Sequence, residues 1–97
     1  MSFDPDRPYS LHPQVALRRE RFGALAYHYG NRRLTFLKAP TLVALVRSLA
    51  EHPSARSAVE IEIPDAARPA HLAALERLAA SGMLCERPAG SDPAADR

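Results

Sequence analysis

The sequence predicts an α+β domain in which a three-stranded antiparallel sheet is followed by three helices, the middle one short. Three observations predict it. Between residues 15 and 37 apolar side chains alternate with others, the period of a half-buried strand; after Pro40 they recur at three and four residues, the period of a helix face. Gly, Asn and Pro stand at the points where the pattern changes.

The first strand is read over 15–20, where Val15, Leu17 and Arg19 alternate with Ala16 and Arg18. Arg21, Phe22 and Gly23 form a turn. The second strand, 24–29, sets Leu25, Tyr27 and Tyr29 against Ala24, Ala26 and His28, and the tyrosines with Leu25 read as sheet core. Gly30, Asn31 and Arg32 make the next turn, since Gly and Asn tolerate the positive φ of tight hairpin loops. A third strand follows over 33–38. Leu42, Leu45, Val46 and Leu49 then form the stripe of a first helix, started by Pro40 or a Thr41 cap and stopped by Pro53. A short second helix begins at a Ser54 cap and runs to about Glu60, although Ile61, Glu62 and Ile63 alternate like a strand. Asp65 caps a third helix with Pro69 in its first turn and Leu72, Leu75, Leu78 and Ala79 as its stripe, and Gly82 ends it. Residues 1–8 read as a flexible arm, 9–87 as the single domain and 88–97 as a disordered tail.

The 97 residues leave room for one compact unit. Of 45 hydrophobic positions 18 are Ala, so the core is thin. The net charge of +2 comes from 13 basic and 11 acidic residues spread along the chain, a weak footprint for nucleic acid. The single Cys85 forms no internal disulfide and no thiolate zinc cluster, which fits a reducing compartment. No apolar run approaches the roughly 20 residues of a membrane span. A cytoplasmic protein without membrane attachment is expected.

Chemistry is hard to place on this chain. His12, His28, His52 and His71 stand alone, without metal-ligand spacing; His52 reads as a cation at a helix C-terminus and His28 as a half-exposed strand residue. Glu60, Glu62 and Asp65 read as a solvated cluster, Cys85 as a small buried hydrophobe, and the four glycines match no phosphate-cradling loop. No catalysis and no cofactor are expected.

Binding is better supported. In an open meander the third strand is an edge whose backbone N–H and C=O groups must be solvated, covered or used. Its sequence, RLTFLK, joins β-favouring Thr35 and Phe36 to apolar Leu34 and Leu37, with Arg33 and Lys38 at the ends to steer an acidic ligand. With the third helix alongside, an extended peptide can add as a further strand. Pro at Thr35 or Leu37 is expected to remove an edge donor.

The stretch LHPQVALRRERFGALAYHYGNRRLTFLKAP, followed by TLVALVRSL and LERLAASGML, resembles the small peptide chaperones of mycofactocin biosynthesis, which belong with the precursor-peptide recognition domains related to the pyrroloquinoline quinone chaperone. The similarity runs from about Phe3 to Glu86. It implies a winged-helix-like fold without catalytic activity. It also implies that the leader of a ribosomally made precursor peptide lies against the third strand, flanked by the third helix, and is presented to a radical S-adenosylmethionine maturase. The implied contacts are Arg33, Leu34, Thr35, Phe36, Leu37 and Lys38 on the strand, and Leu72, Leu75, Glu76, Ala79 and Met83 on the helix side. Arg18, Arg19, Arg21 and Arg47 are candidates for the surface that meets the maturase.

The alternative from another class is a winged-helix DNA-binding regulator. Its reading helix offers Arg68, His71, Glu76 and Arg77 but no Asn, Gln or Lys, a poor set for base readout. Homodimerisation through the same edge strand is compatible with peptide binding.

Overall fold

A computed structural model describes residues 3–87. The chain runs β1 (Tyr9–Leu11), β2 (Val15–Glu20), β3 (Gly23–His28), β4 (Leu34–Leu37), α1 (Pro40–Ser48), α2 (Ala55–Glu62), α3 (Arg68–Ala80) and β5 (Leu84–Glu86), with single 3-10 turns at Leu49–Glu51 and Asp65–Ala67. The predicted meander is present as an antiparallel sheet in the order β2-β3-β4, and three helices follow it. A second sheet, β1-β5, escaped the sequence reading: each strand has only three residues, too few to display a period.

Two glycines hold the register. Gly23 opens β3 at φ +145, and a Cβ there would meet the Leu37 carbonyl oxygen at 2.0 Å, so no side chain fits between β3 and β4. Gly82, at φ +84, closes α3: its N–H donates to Ala79 O and that of Met83 to Leu78 O, the paired bonds that satisfy the last turn's carbonyls. In the β3–β4 turn the positive φ falls on Arg32 (φ 65) rather than on Gly30 or Asn31. His28 explains this. Its Nδ1 accepts from the N–H groups of Gly30 and Asn31 at 2.9 and 3.1 Å, while Arg32 N–H donates to His28 O. The ring is therefore buried and bonded, not half-exposed, and stacks 4.4 Å from that of His12.

The three helices cover one face of the meander. Ala24 and Ala26 are small enough for close helix approach, and with Leu37 they meet Leu45, Val46, Leu49, Val59, Leu75 and Leu78 in one core. At about 25 cal/mol per Å² of apolar area, each fully buried Leu contributes about 2 kcal/mol relative to exposure. Tyr27 and Tyr29 lie on the opposite face, and Tyr29 is exposed, so the expectation that they fill the core is corrected. The alternation showed that two faces exist but not which one the helices cover.

Helix ends differ from expectation in instructive ways. Pro40 starts α1 without a side-chain cap; Thr41 Oγ1 instead lies 2.9 Å from His71 Nε2 on α3. Ser54 does cap α2, in a reciprocal box with Ser57. The strand-like Ile61 and Glu62 are the last turn of α2, with Ile63 extended and buried as its C-cap. Asp65 opens a 3-10 turn and pairs with Arg68 rather than capping α3. His52 follows the 3-10 turn after α1 in extended conformation, its Nε2 3.3 Å from Glu62 Oε2. Cys85 is half-buried in β5, its sulfur 4.0 Å from Ser10 Oγ.

Residues 3–8, which the sequence reading places in the N-terminal arm, make several contacts with the domain. Arg56 and Ala55, first residues of α2, donate their N–H groups to Pro5 O and Arg7 O at 2.7 and 3.0 Å, and Phe3 stacks on Tyr9. Arg56 also bonds Asp6 through Nε at 2.7 Å; that hydrogen bond, then its charge, hold the Asp6 carboxyl below its ordinary value. Arg7 pairs with Glu86 at 2.5 Å, and Arg87 N–H donates to Pro8 O. The tail expected at 88–97 lies outside the described residues.

Candidate functional site: the β4 edge and its groove

Among the described residues β4 pairs with β3 on one side only: Ala24 faces Leu37, Leu25 faces Phe36, Ala26 faces Thr35 and Tyr27 faces Leu34. His28 N–H donates to Arg33 O at 2.9 Å, which makes that pair the hydrogen-bonded one. Antiparallel ladders alternate, so Thr35 and Leu37 spend their backbone bonds on β3. The groups turned to the vacant edge are those of Leu34, Phe36 and Lys38. This corrects the expectation for Thr35 and Leu37: Pro at either removes a bond inside the sheet, not an edge donor.

Beside this edge lies a groove of about 250 Å³ lined by Thr35, Phe36 and Leu37 of the strand, Leu42 of α1, and Ala74, Arg77, Leu78 and Ser81 on and just past α3. Leu42, Ala74 and Leu78 give it an apolar floor, and Arg77 places a cation at the rim. A backbone edge beside an apolar slot is the arrangement that binds an extended peptide by strand addition, alternate side chains entering the slot.

The six strand residues expected at the site, Arg33 to Lys38, are together. Five of them are open to solvent to some degree, whereas Leu37 is buried and serves the core from the groove's floor. The helix residues fare differently. Leu75 and Met83 are wholly buried in the core, and Leu72 and Glu76 line a separate depression with Phe3, Pro5, Pro69 and Ala73. Ala79 packs against the core as a partly buried residue outside the groove lining. The face of α3 that borders β4 is instead Ala74, Arg77, Leu78 and Ser81, spaced i, i+3, i+4 and i+7. Because α3 carries Leu or Ala on nearly every side, its apolar stripe has no sharp direction to read from sequence.

The arginines proposed for a partner surface separate. Arg19, Arg21 and Arg47 line a cleft of about 380 Å³ with Glu20, between the β2–β3 turn and α1, while Arg18 lies on the open sheet face and pairs with Glu20 at 2.7 Å. Among the described residues no three His, Cys, Asp or Glu side chains gather to hold a metal ion. No helix there is long and apolar enough to cross a membrane.

Comparison with known proteins finds a family match. Residues 8–85 match the model of the Peptide chaperone MftB family. A relative from Mycobacterium ulcerans named Peptide chaperone MftB is 54% identical over 84 residues, 86% of this chain and 77% of that one. Its namesakes from Mycobacterium tuberculosis and Mycolicibacterium smegmatis are each 51% identical, over 88% and 87% of this chain and 79% and 83% of theirs. The name these relatives carry describes a non-catalytic role. No solved structure matches.

Proposed function

From the premise that the chain belongs to the Peptide chaperone MftB family, we propose that it captures the leader of a ribosomally made precursor peptide on the β4 edge and delivers it to a radical S-adenosylmethionine maturase in mycofactocin biosynthesis. The domain acts as a carrier in the cytoplasm, and the chemistry belongs to the enzyme it serves. The observation that carries this reading is the vacant edge at Leu34, Phe36 and Lys38, directly beside a groove with an apolar floor. Strand addition satisfies the edge groups with main-chain bonds, independent of side-chain identity, and the groove selects by shape. The Arg19, Arg21 and Arg47 cleft is set apart from the groove and is the surface assigned to the maturase, where charge raises the rate of encounter.

The test is an amide NMR titration of labelled protein with the leader peptide. The signals of Leu34, Phe36 and Lys38 are expected to shift together with those of Ala74 and Arg77. Saturable binding that leaves these signals in place and moves others overturns the reading. The winged-helix DNA-binding alternative predicts a low-salt mobility shift with duplex DNA; no feature of the groove favours it.

A further inference from the structure

The sheet face turned away from the helices carries an apolar patch that peptide capture in the groove leaves unused. Register places Leu25, Tyr27, Leu34 and Phe36 on this face. Leu34 is 52% and Phe36 55% exposed, and Phe22, 40% exposed in the β2–β3 turn, meets Phe36 edge to face with ring centroids 5.5 Å apart. Phe22, Phe36 and Lys38 together border an open hollow of about 470 Å³. An apolar cluster this exposed on a small domain marks a contact surface.

Two observations identify the occupant. The first is continuity. A strand added to β4 places alternate side chains on opposite faces: one set enters the groove, and the other falls beside Leu34 and Phe36, with Cβ atoms about 5 Å away. The second is charge. Arg32, Arg33 and Lys38 flank β4 and no acidic side chain occurs between Glu20 and Glu51, whereas Arg18, Arg19 and Arg21 lie on or beside the far strand β2. Arg33 and Lys38 stand at the two ends of β4, about 17 Å apart at the usual strand rise. Neither enters an ion pair among the described residues.

We propose that the outward face of β4 is a second subsite for the same peptide, in which Phe22, Leu34 and Phe36 seat an outward-facing apolar side chain and Lys38 holds a neighbouring carboxylate. The inference rests on the peptide-capture reading above and deepens it. A strand buried on both faces reads as a continuous apolar run rather than an alternating one. The recognised segment is accordingly about four consecutive apolar residues between acidic flanks, and a peptide with the groove pattern alone binds more weakly.

A serine scan of the leader peptide, titrated by calorimetry into the unaltered protein and into Phe36→Ser, tests this. In the unaltered protein, serine at adjacent apolar positions of both parities is expected to weaken binding about tenfold. In Phe36→Ser the positions of one parity lose that sensitivity while the other parity keeps it, and Lys38→Glu weakens binding with a reduced dependence on salt. Phe22→Ser supplies the same comparison from the turn, and circular dichroism establishes that each variant is folded. Sensitivity confined to every second residue, with Phe36→Ser binding as tightly as the unaltered protein, overturns the second subsite and leaves peptide capture standing. A leader that does not bind the unaltered protein overturns both.

Discussion

Gly23 and the Leu37 carbonyl oxygen meet so closely that a Cβ would sit 2.0 Å from that oxygen, with the glycine at φ +145. Backbone contact and backbone conformation forbid a side chain at one and the same place. Gly23→Ala is therefore expected to destabilise the domain by about 2 kcal/mol or more, read as a lowered urea midpoint, and to pull β4 away from β3. A midpoint equal to that of the unaltered protein overturns this account of the register.

Arg87 binds carbonyl oxygens from two layers of the fold. Its guanidinium donates to Tyr9 O, Leu49 O, Ala50 O and His52 O, closing the end of α1 against β1. Arg87→Ala removes the side-chain donor from all four carbonyls, of which Leu49 O keeps the His52 N–H, and is expected to cost about 2 kcal/mol, measured by thermal or urea unfolding. Arg87→Lys restores only part of the loss, because an ammonium does not span four acceptors in a planar fork.

Leu34→Pro separates the edge from the sheet. The Leu34 N–H points to the vacant side, and proline is tolerated at the first residue of a strand. The variant is expected to keep its fold and lose about tenfold in leader affinity by calorimetry. Thr35→Pro, which removes a β3–β4 bond, is expected to lower the unfolding midpoint as well.

Arg77 stands exposed at the groove rim. Arg77→Glu is expected to weaken an acidic leader by about tenfold at low salt and by less at high salt, with unchanged thermal stability. Equal affinity at both salt concentrations removes Arg77 from the site.

The Asp6–Arg56 pair sets a pH dependence whose sign follows from the hydrogen bond and charge that Arg56 brings to the carboxyl. Asp6 titrates below its ordinary 3.8, so the native state binds its proton less readily than the unfolded chain. The stabilisation is present above the unfolded value and lost as pH falls through the folded one. An NMR titration of the Asp6 carboxyl is expected to show a lowered midpoint that returns toward the ordinary value in Arg56→Ala. The pair is exposed, so its effect on the unfolding midpoint is small.

Much of this architecture can be read from residues. Alternation through Val15 to Leu37 locates the meander, and the Leu42, Leu45, Val46, Leu49 spacing locates α1, because each signal extends over more than one period. β1 and β5 cannot be read, since Tyr9–Leu11 and Leu84–Glu86 are joined by pairing across most of the chain rather than by local preference. The strand half of the candidate site is legible because an edge strand needs only β-favouring residues and a position in the sheet. The helix half is not. Leu72, Leu75, Ala79 and Met83 are as apolar as Ala74 and Leu78, and only packing decides which of them borders β4. Likewise the choice of Leu34 and Phe36 over Thr35 and Leu37 as edge donors follows from the His28–Arg33 bond, a tertiary fact.

The β1-β5 pairing lays Tyr9 opposite Glu86, and Arg87 N–H bonds Pro8 O at 2.9 Å. Pro8 and Arg87 are thus near enough for a few glycines to splice them into a ring, which can then be cut open at the exposed Pro53 between α1 and α2. Such a rearranged chain keeps the span of every strand and helix while giving up the Pro5 and Arg7 carbonyls that bond the start of α2, and it offers a way to graft the domain onto another protein from a point other than its own extremities.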